Sequence, residues 1–99
     1  MNCKKNNCDP EHLLYDAILA LQDKDECCKF LLDVCTPKEL SAMEQRFEVA
    51  QMLYQGKTYT DILEATGASS AIISRVNRTL TDGTGSYAKI FERLEEEEP

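Results

Sequence analysis

The spacing of apolar residues along the chain predicts helices throughout. Apolar side chains recur about every three or four residues, which is the period of a helix with one buried face. No segment of useful length alternates between apolar and polar residues, as a half-buried strand would. The helical spacing occurs in residues 13–21, 28–35, 40–53, 73–80 and 87–94, and start and stop signals mark one further short helix around residues 62–63. We therefore expect an all-α domain with six helices.

Capping residues mark the ends of the long third helix. Thr36 can cap its N-terminus, Pro37 suits the first helical position, and Glu39 completes a capping box. Gly56 can end it, because glycine adopts a left-handed backbone without a Cβ clash. The residues of this helix that we expect in the core or in an interface between two copies are Met43, Phe47 and Met52.

A short helix is expected next. Thr58 and Asp61 form a weaker capping box at its start. Ile62 and Leu63 are expected to face inward, and Gly67 ends the helix.

The outer helices are marked mainly by composition. The Asp-Pro-Glu segment at residues 9–11 is a helix start. Residues 23–25 are expected to interrupt the first helix, and a second, shorter helix follows them. Residues 81–86 are expected to form a loop, with a last helix from about Tyr87.

The segment 67–80 combines a turn with a two-faced helix. Ser69 can cap this helix with its hydroxyl. Its inner face would carry Ile73, Val76 and Leu80, and its outer face Ser70, Ala71, Ser74, Arg75 and Arg78. Small residues allow a close approach to base edges, and arginine can bind guanine or phosphate. The segment is therefore expected to be the turn and second helix of a DNA-binding helix-turn-helix.

The net charge of −7 by itself disfavours nucleic acid. However, residues 95–98 alone contribute four glutamates. In residues 69–80 the only charged side chains are Arg75 and Arg78, and Lys57 lies a little earlier in the chain. Because DNA binding requires a local basic face, these three cations together with Ser69 are included among the expected DNA-binding residues.

The length of 99 residues suits one small domain. A domain of this size hides only about two-thirds of its unfolded surface, so dimerisation would help to stabilise it. The expected organisation is a flexible N-terminus (1–8), a helix-turn-helix domain (9–94) and an acidic tail (95–99).

The cysteines and the single histidine follow no pattern typical of a metal site or an enzyme. The five cysteines contain no CxxC pair, and His12 has no nucleophile–base pattern around it. We expect no catalytic activity, no metal and no cofactor. An odd number of cysteines without a signal peptide indicates a reducing cytoplasm, and no apolar run is long enough to span a membrane.

Two blocks of the sequence resemble the Trp-repressor family, and in particular its YerC/YecD-like branch. The first runs from TPKEL at residues 36–40 through Arg46 to Gly56, and the second is TGASSAIISRVNR at residues 66–78. The second is the more specific, because it fixes turn, buried and exposed positions together. The resemblance implies an intertwined homodimer that offers one helix-turn-helix per subunit to operator DNA, and hence a transcriptional regulator, by its family a repressor.

The resemblance also implies a candidate corepressor pocket. The Trp repressor binds tryptophan between two arginines and a glycine that follows the second arginine. Arg46 and Arg75 match the arginines, but Val76 stands at the glycine position. A β-branched side chain there would intrude on the indole, and overfilling a packed site costs about 1–3 kcal/mol. Tryptophan is therefore not expected to bind.

A second function stays open on the sequence alone. The chain could be a protein-interaction module that uses the helix pair as a scaffold and does not read DNA. The net charge of −7 favours this alternative. Thr60 and Asp61 also favour it, because the first helix of the motif could have carried cations there.

Overall fold

The computed structural model describes residues 10–97, with side chains from His12 onward. All regular structure in this range is helical, which confirms the expected class and number of helices. The helices are α1 (Pro10–Ala20), α2 (Lys24–Val34), α3 (Pro37–Tyr54), α4 (Tyr59–Thr66), α5 (Ser70–Asp82) and α6 (Ser86–Glu97). The chain divides into two compact units between Leu40 and Ser41, within α3. The predicted N-terminal segment 1–8 and the last two residues of the predicted tail lie outside the described residues.

In the first unit, Asp23 separates α1 from α2. Its carboxylate caps α2 by accepting a hydrogen bond from the Glu26 backbone N–H at 2.8 Å. The Glu26 carboxylate in turn accepts from the Gln22 N–H at 3.0 Å. The interruption was predicted at residues 23–25, but it lies earlier in the chain, at residues 21–23. The cap formed by Asp23 allows α2 to begin at Lys24. The second helix is also not the shorter one, since α1 and α2 each have 11 residues.

Most large apolar side chains of α1 and α2 are exposed in the single chain. These residues are Leu13, Leu14, Tyr15, Ile18 and Leu19 on α1, and Leu32 and Val34 on α2. The apolar spacing read from the sequence is present in both helices, but one chain does not bury it.

In the second unit, α3 has apolar residues on two opposite faces. Successive residues of a helix point about 100° apart, so Val49 and Met52 share one face. Val49 is fully buried there and Met52 is partly buried. The opposite face carries Met43, Phe47 and Tyr54, which remain between 37% and 39% exposed. The rings of Phe47 and Tyr54 lie 5.2 and 5.0 Å from the Phe91 ring of α6.

The core of the second unit draws on α3, α4, α5, α6 and the residues between α4 and α5. Its buried side chains are Val49, Ala50, Ile62, Ala68, Ile73, Val76 and Phe91. On α4 only Ile62 is buried, whereas Leu63 is 47% exposed. The prediction that both face inward was wrong for Leu63, because adjacent residues of a helix cannot share one narrow face.

The predicted ends of α3 are confirmed. The Glu39 N–H donates to Thr36 Oγ1 at 3.1 Å, and the Thr36 N–H donates to Glu39 Oε1 at 2.8 Å. At the other end Gly56 has a φ of 86°. The Gly56 N–H donates to the Leu53 carbonyl and the Lys57 N–H to the Met52 carbonyl, both at 3.0 Å. This pair of bonds is the Schellman termination that a glycine at this position favours.

Helix α5 is longer than its composition indicates. The loop predicted over residues 81–86 is confined to residues 83–85, because α5 runs through Asp82. The Thr81 hydroxyl donates to the Arg78 carbonyl at 3.1 Å. Threonine in this last turn thus bonds to the helix itself and does not interrupt it.

Candidate nucleic-acid interface

The hydroxyl of Thr66 organises the junction between α4 and α5. It donates to the Ile62 carbonyl at 2.8 Å and accepts from the Ala68 N–H at 3.1 Å. Gly67 follows with a φ of 74°, and its N–H donates to the Leu63 carbonyl at 2.9 Å. Ala68 is fully buried, which anchors the turn in the core. The left-handed glycine predicted at position 67 is confirmed.

A side chain from α3 also holds this junction. Gln45 Nε2 donates to the backbone carbonyl of Thr66 at 3.1 Å. The last carbonyls of a helix have no partner within it, so this bond satisfies one of the acceptors left at the end of α4. The role of Gln45 is not apparent from the sequence, because its hydrogen-bond partner is 21 residues away. The available signal was a polar residue on the same face of α3 as Val49 and Met52.

The predicted cap and the predicted inner face of α5 are both confirmed. The Ile72 N–H donates to Ser69 Oγ at 3.2 Å. Ile73 and Val76 are 1% and 3% exposed, and Leu80 is half-buried. These contacts hold α5 against the core of the second unit with its outer face free.

The outer face of α5 contains the residues predicted to bind DNA. They are all exposed: Ser70, Ala71, Ser74, Arg75 and Arg78. At about 100° per residue, Ala71, Arg75 and Arg78 project within a narrow sector of the helix surface. The extension of α5 adds Asp82 to this face, four residues beyond Arg78.

Ser69 and Lys57 have different positions from the residues of this face. Ser69 is exposed, and its oxygen is engaged as the cap of α5, although its hydroxyl hydrogen can still be donated. Lys57 is exposed and precedes α4. It therefore lies near the opposite end of α4 from the turn, about 12 Å along that helix.

The three residues of the expected corepressor pocket have unlike surroundings. Arg46 on α3 and Arg75 on α5 are exposed. Val76 is 3% exposed and belongs to the core. A cavity of about 310 Å³ lies beside the end of α5, lined by apolar residues such as Phe47 and Leu80 and by hydroxyl residues such as Thr79. None of the three pocket residues lines this cavity.

Acidic charge in the second unit is concentrated on α6. Its exposed glutamates are Glu92, Glu95, Glu96 and Glu97. Because α6 continues through Glu97, the first residues of the predicted tail are helical. Four exposed glutamates are thus on a different helix from Arg75 and Arg78, whereas Asp82 is an acid on α5 itself.

Three other features of the described part of the chain are its thiols, its potential metal ligands and the hydropathy of its helices. Cys27, Cys28 and Cys35 are free thiols. Within residues 10–97, no three histidine, cysteine or acidic side chains are grouped as metal ligands would be. No helix in the same part of the chain is long and apolar enough to cross a membrane.

The fold and this helix pair define a small all-helical protein with the Trp-repressor fold. The family model described as Trp repressor protein matches residues 11–95. The chain belongs to the Trp-repressor family, in its YerC-like branch. Members of this family are regulators and not enzymes.

The chain is 46% identical over 85 residues to the Bacillus subtilis (strain 168) protein YerC, which is described as uncharacterized. That match covers 86% of this chain and 82% of YerC. A crystal structure of a TrpR-like protein from Eubacterium eligens ATCC 27750 superimposes with a TM-score of 0.84 and 49% identity, over 95% of this chain and 99% of that one. A candidate Trp repressor from Staphylococcus aureus gives a TM-score of 0.85 and 40% identity, over 100% and 99% of the two chains.

Proposed function

We propose that this protein is a sequence-specific DNA-binding transcriptional regulator that acts as a repressor. The pair α4–α5 serves as its helix-turn-helix, and α5 enters the major groove. The observation that carries the proposal is the outer face of α5. This face is exposed, begins with small side chains and contains two arginines, and its one acidic residue, Asp82, lies in the last turn of α5.

Each part of this face has a role that suits its chemistry. Ser70 and Ala71 lie in the first turn, where small side chains leave room for the helix to approach base edges. Ser74 lies one turn later and can donate to or accept from a base. Arg75 and Arg78 can bind phosphate or guanine. The first backbone N–H groups of α5 add a favourable potential for phosphate.

The overall negative charge does not prevent this mode of binding. Four of the exposed glutamates of the second unit are on α6, whereas the cations of the reading face are on α5. DNA binding depends on the local charge of the face that meets the phosphates more than on the net charge of the chain. With few cations on the face, phosphate contacts supply modest affinity per subunit, and base contacts supply the specificity.

We also propose that the active form is an intertwined homodimer. Among the described residues, fourteen large apolar side chains are exposed, against seven buried residues in the core. Seven of the fourteen belong to α1 and α2, and three more lie on the face of α3 opposite Val49, which is partly covered by α6. Burial of such side chains is worth roughly 1.5–3 kcal/mol each, so a second copy that covers them would be strongly favoured.

The dimer sets the form of the operator. A two-fold axis relates the two α5 helices, so the target should be a near-palindrome whose half-sites lie about one helical turn apart, roughly 34 Å. Tryptophan is not the effector in this proposal. Val76 stands at the position where the repressor of the family has glycine, and its side chain is buried in the core.

Selection from a random duplex pool tests this function. The purified chain is mixed with the pool at low salt, and the retained DNA is sequenced and then titrated at several salt concentrations. We expect one near-palindromic motif and an affinity that falls linearly with salt on logarithmic axes. If no duplex is retained at low salt, the protein-interaction module becomes the better account.

A further inference from the structure

We propose that Gln45 is a positioning residue for DNA readout. Its side-chain amide, on α3, holds the junction between α4 and α5 in place by a hydrogen bond. The inference rests on the proposed DNA-binding function and adds to it a residue that does not touch DNA. The bond that carries it joins Gln45 Nε2 to the Thr66 carbonyl at 3.1 Å.

The surroundings of Gln45 give this bond its importance. Gln45 is half-buried and shares a face of α3 with the core residues Val49 and Met52. Leaving a partly buried amide N–H without a hydrogen-bond partner costs free energy. The Gln45 side chain therefore favours the conformation in which its amide donates to an acceptor. The carbonyl of Thr66 is such an acceptor, because α4 ends there.

Thr66 connects this bond to the turn. The same residue accepts from Gln45 through its carbonyl, donates to Ile62 through its hydroxyl, and accepts from the Ala68 N–H. A displacement of Thr66, the last residue of α4, relative to α3 would therefore shift the turn, and α5 begins two residues after Ala68. Gln45 thus acts at the base of the reading helix.

Loss of this hydrogen bond should reduce the discrimination between DNA sequences more than it reduces the non-specific affinity for DNA. Base contacts require the first turn of α5 to meet base edges at a defined angle, whereas phosphate contacts of mobile arginines tolerate a small rotation. In a dimer the altered angle of α5 would affect the contacts with both half-sites. The ratio of specific to non-specific affinity is therefore the quantity that reports on Gln45.

The test compares variants of the full chain. Gln45→Leu keeps the approximate size and removes the donor. Gln45→Lys restores a donor of different shape that can reach the same carbonyl. Gln51→Leu and Gln51→Lys make the same changes at an exposed glutamine of α3 and serve as matched controls. Binding to the selected motif and to a scrambled duplex is measured for each, with the salt slope.

We expect Gln45→Leu to lower the specific-to-scrambled affinity ratio roughly fivefold to tenfold, the fold-change that corresponds to one lost hydrogen bond. The salt slope should stay unchanged. Gln45→Lys should restore at least half of the decrease in the logarithm of this ratio. Both Gln51 variants should give the same ratio as the wild type. Hydrogen exchange of the Ala68 N–H without DNA should be faster in Gln45→Leu and slow again in Gln45→Lys.

Two results would overturn the inference. A ratio for Gln45→Leu within twofold of the wild type would remove the positioning role while leaving the DNA-binding function in place. A wild-type chain that binds no duplex would remove both. If Gln45→Leu does not fold, Gln45→Asn replaces it in the same measurements, with the same expected decrease in the affinity ratio. Asparagine keeps the amide but is one methylene too short to reach Thr66.

Discussion

Thr58 and Asp61 cap the first turn of α4 reciprocally. The Asp61 N–H donates to Thr58 Oγ1 at 3.1 Å, and the Thr58 N–H donates to Asp61 Oδ2 at 3.4 Å. The carboxylate also lies at the positive end of the helix dipole. Asp61 is unfavourable for a helix that approaches phosphate, and this cap is the physical reason for an acid at that position.

Replacing Asp61 with alanine should therefore separate stability from DNA binding. We expect Asp61→Ala to lower the free energy of unfolding by roughly 0.5–1 kcal/mol, because one half of the capping box is lost. DNA affinity at low salt should be equal or higher, since a negative charge is removed. Glu64→Ala removes the same charge from an exposed position of α4 and should leave stability almost unchanged. Denaturant unfolding and DNA titration check both expectations, and a loss of DNA binding by Asp61→Ala alone would contradict them.

Arg78 is expected to hold a phosphate. It lies two turns after the start of α5 and is exposed. Arg78→Ala should weaken binding to all duplexes alike and reduce the salt slope by about one contact. Arg93→Ala removes an exposed arginine from α6 and is the matched control, with no change in slope expected. A loss confined to the selected motif would mean that Arg78 contacts a base.

Ala71 is expected to lie against base edges. Replacing it with leucine should change which sequence is selected from a random pool, because the larger side chain fills the space between the first turn and the groove. Each mismatched contact costs roughly 1–3 kcal/mol of discrimination. Thr79→Leu is a control at an exposed position of α5 two turns after Ala71 and about 80° further round the helix. An unchanged motif with Ala71→Leu would show that the first turn does not read sequence.

L-tryptophan should not bind at useful affinity. Val76 is 3% exposed, so an indole beside Arg75 would have to displace a core side chain. Calorimetry with L-tryptophan should give no heat of binding at micromolar concentration. Val76→Gly would open space, but it should destabilise the protein by roughly 3 kcal/mol through the cavity and through glycine within a helix. A micromolar dissociation constant for the unaltered chain would refute the prediction.

The chain should sediment as a dimer. The exposed apolar residues of α1, α2 and α3 are expected to be covered by a second copy, so sedimentation equilibrium at micromolar concentration should give twice the mass of one 11.2 kDa chain. The thermal midpoint should rise with protein concentration, because association stabilises the folded state. A stable monomer with a midpoint independent of concentration would contradict the dimer.

Much of the local structure could be read from the sequence. The caps formed by Thr36, Thr58 and Ser69 were predictable because each joins groups only three residues apart. The left-handed turn at Gly67 was predictable because glycine pays no Cβ penalty there. The exposed face of α5 followed from the helical period, since charged and small residues are on one side and apolar residues on the other.

The tertiary structure decided which of several allowed arrangements is adopted. Both Ile62 and Leu63 were predicted to be in the core. Only Ile62 is buried, because it is the one that packs with the core residues of α3 and α5. The hydrogen bond from Gln45 to Thr66 spans 21 residues, so no local pattern encodes it. Helix caps depend on neighbours in sequence, whereas burial and long-range hydrogen bonds depend on which surfaces meet when the helices pack. For this reason the helices of this protein could be predicted from its sequence, and the hydrogen bond from Gln45 to the junction of α4 and α5 could not.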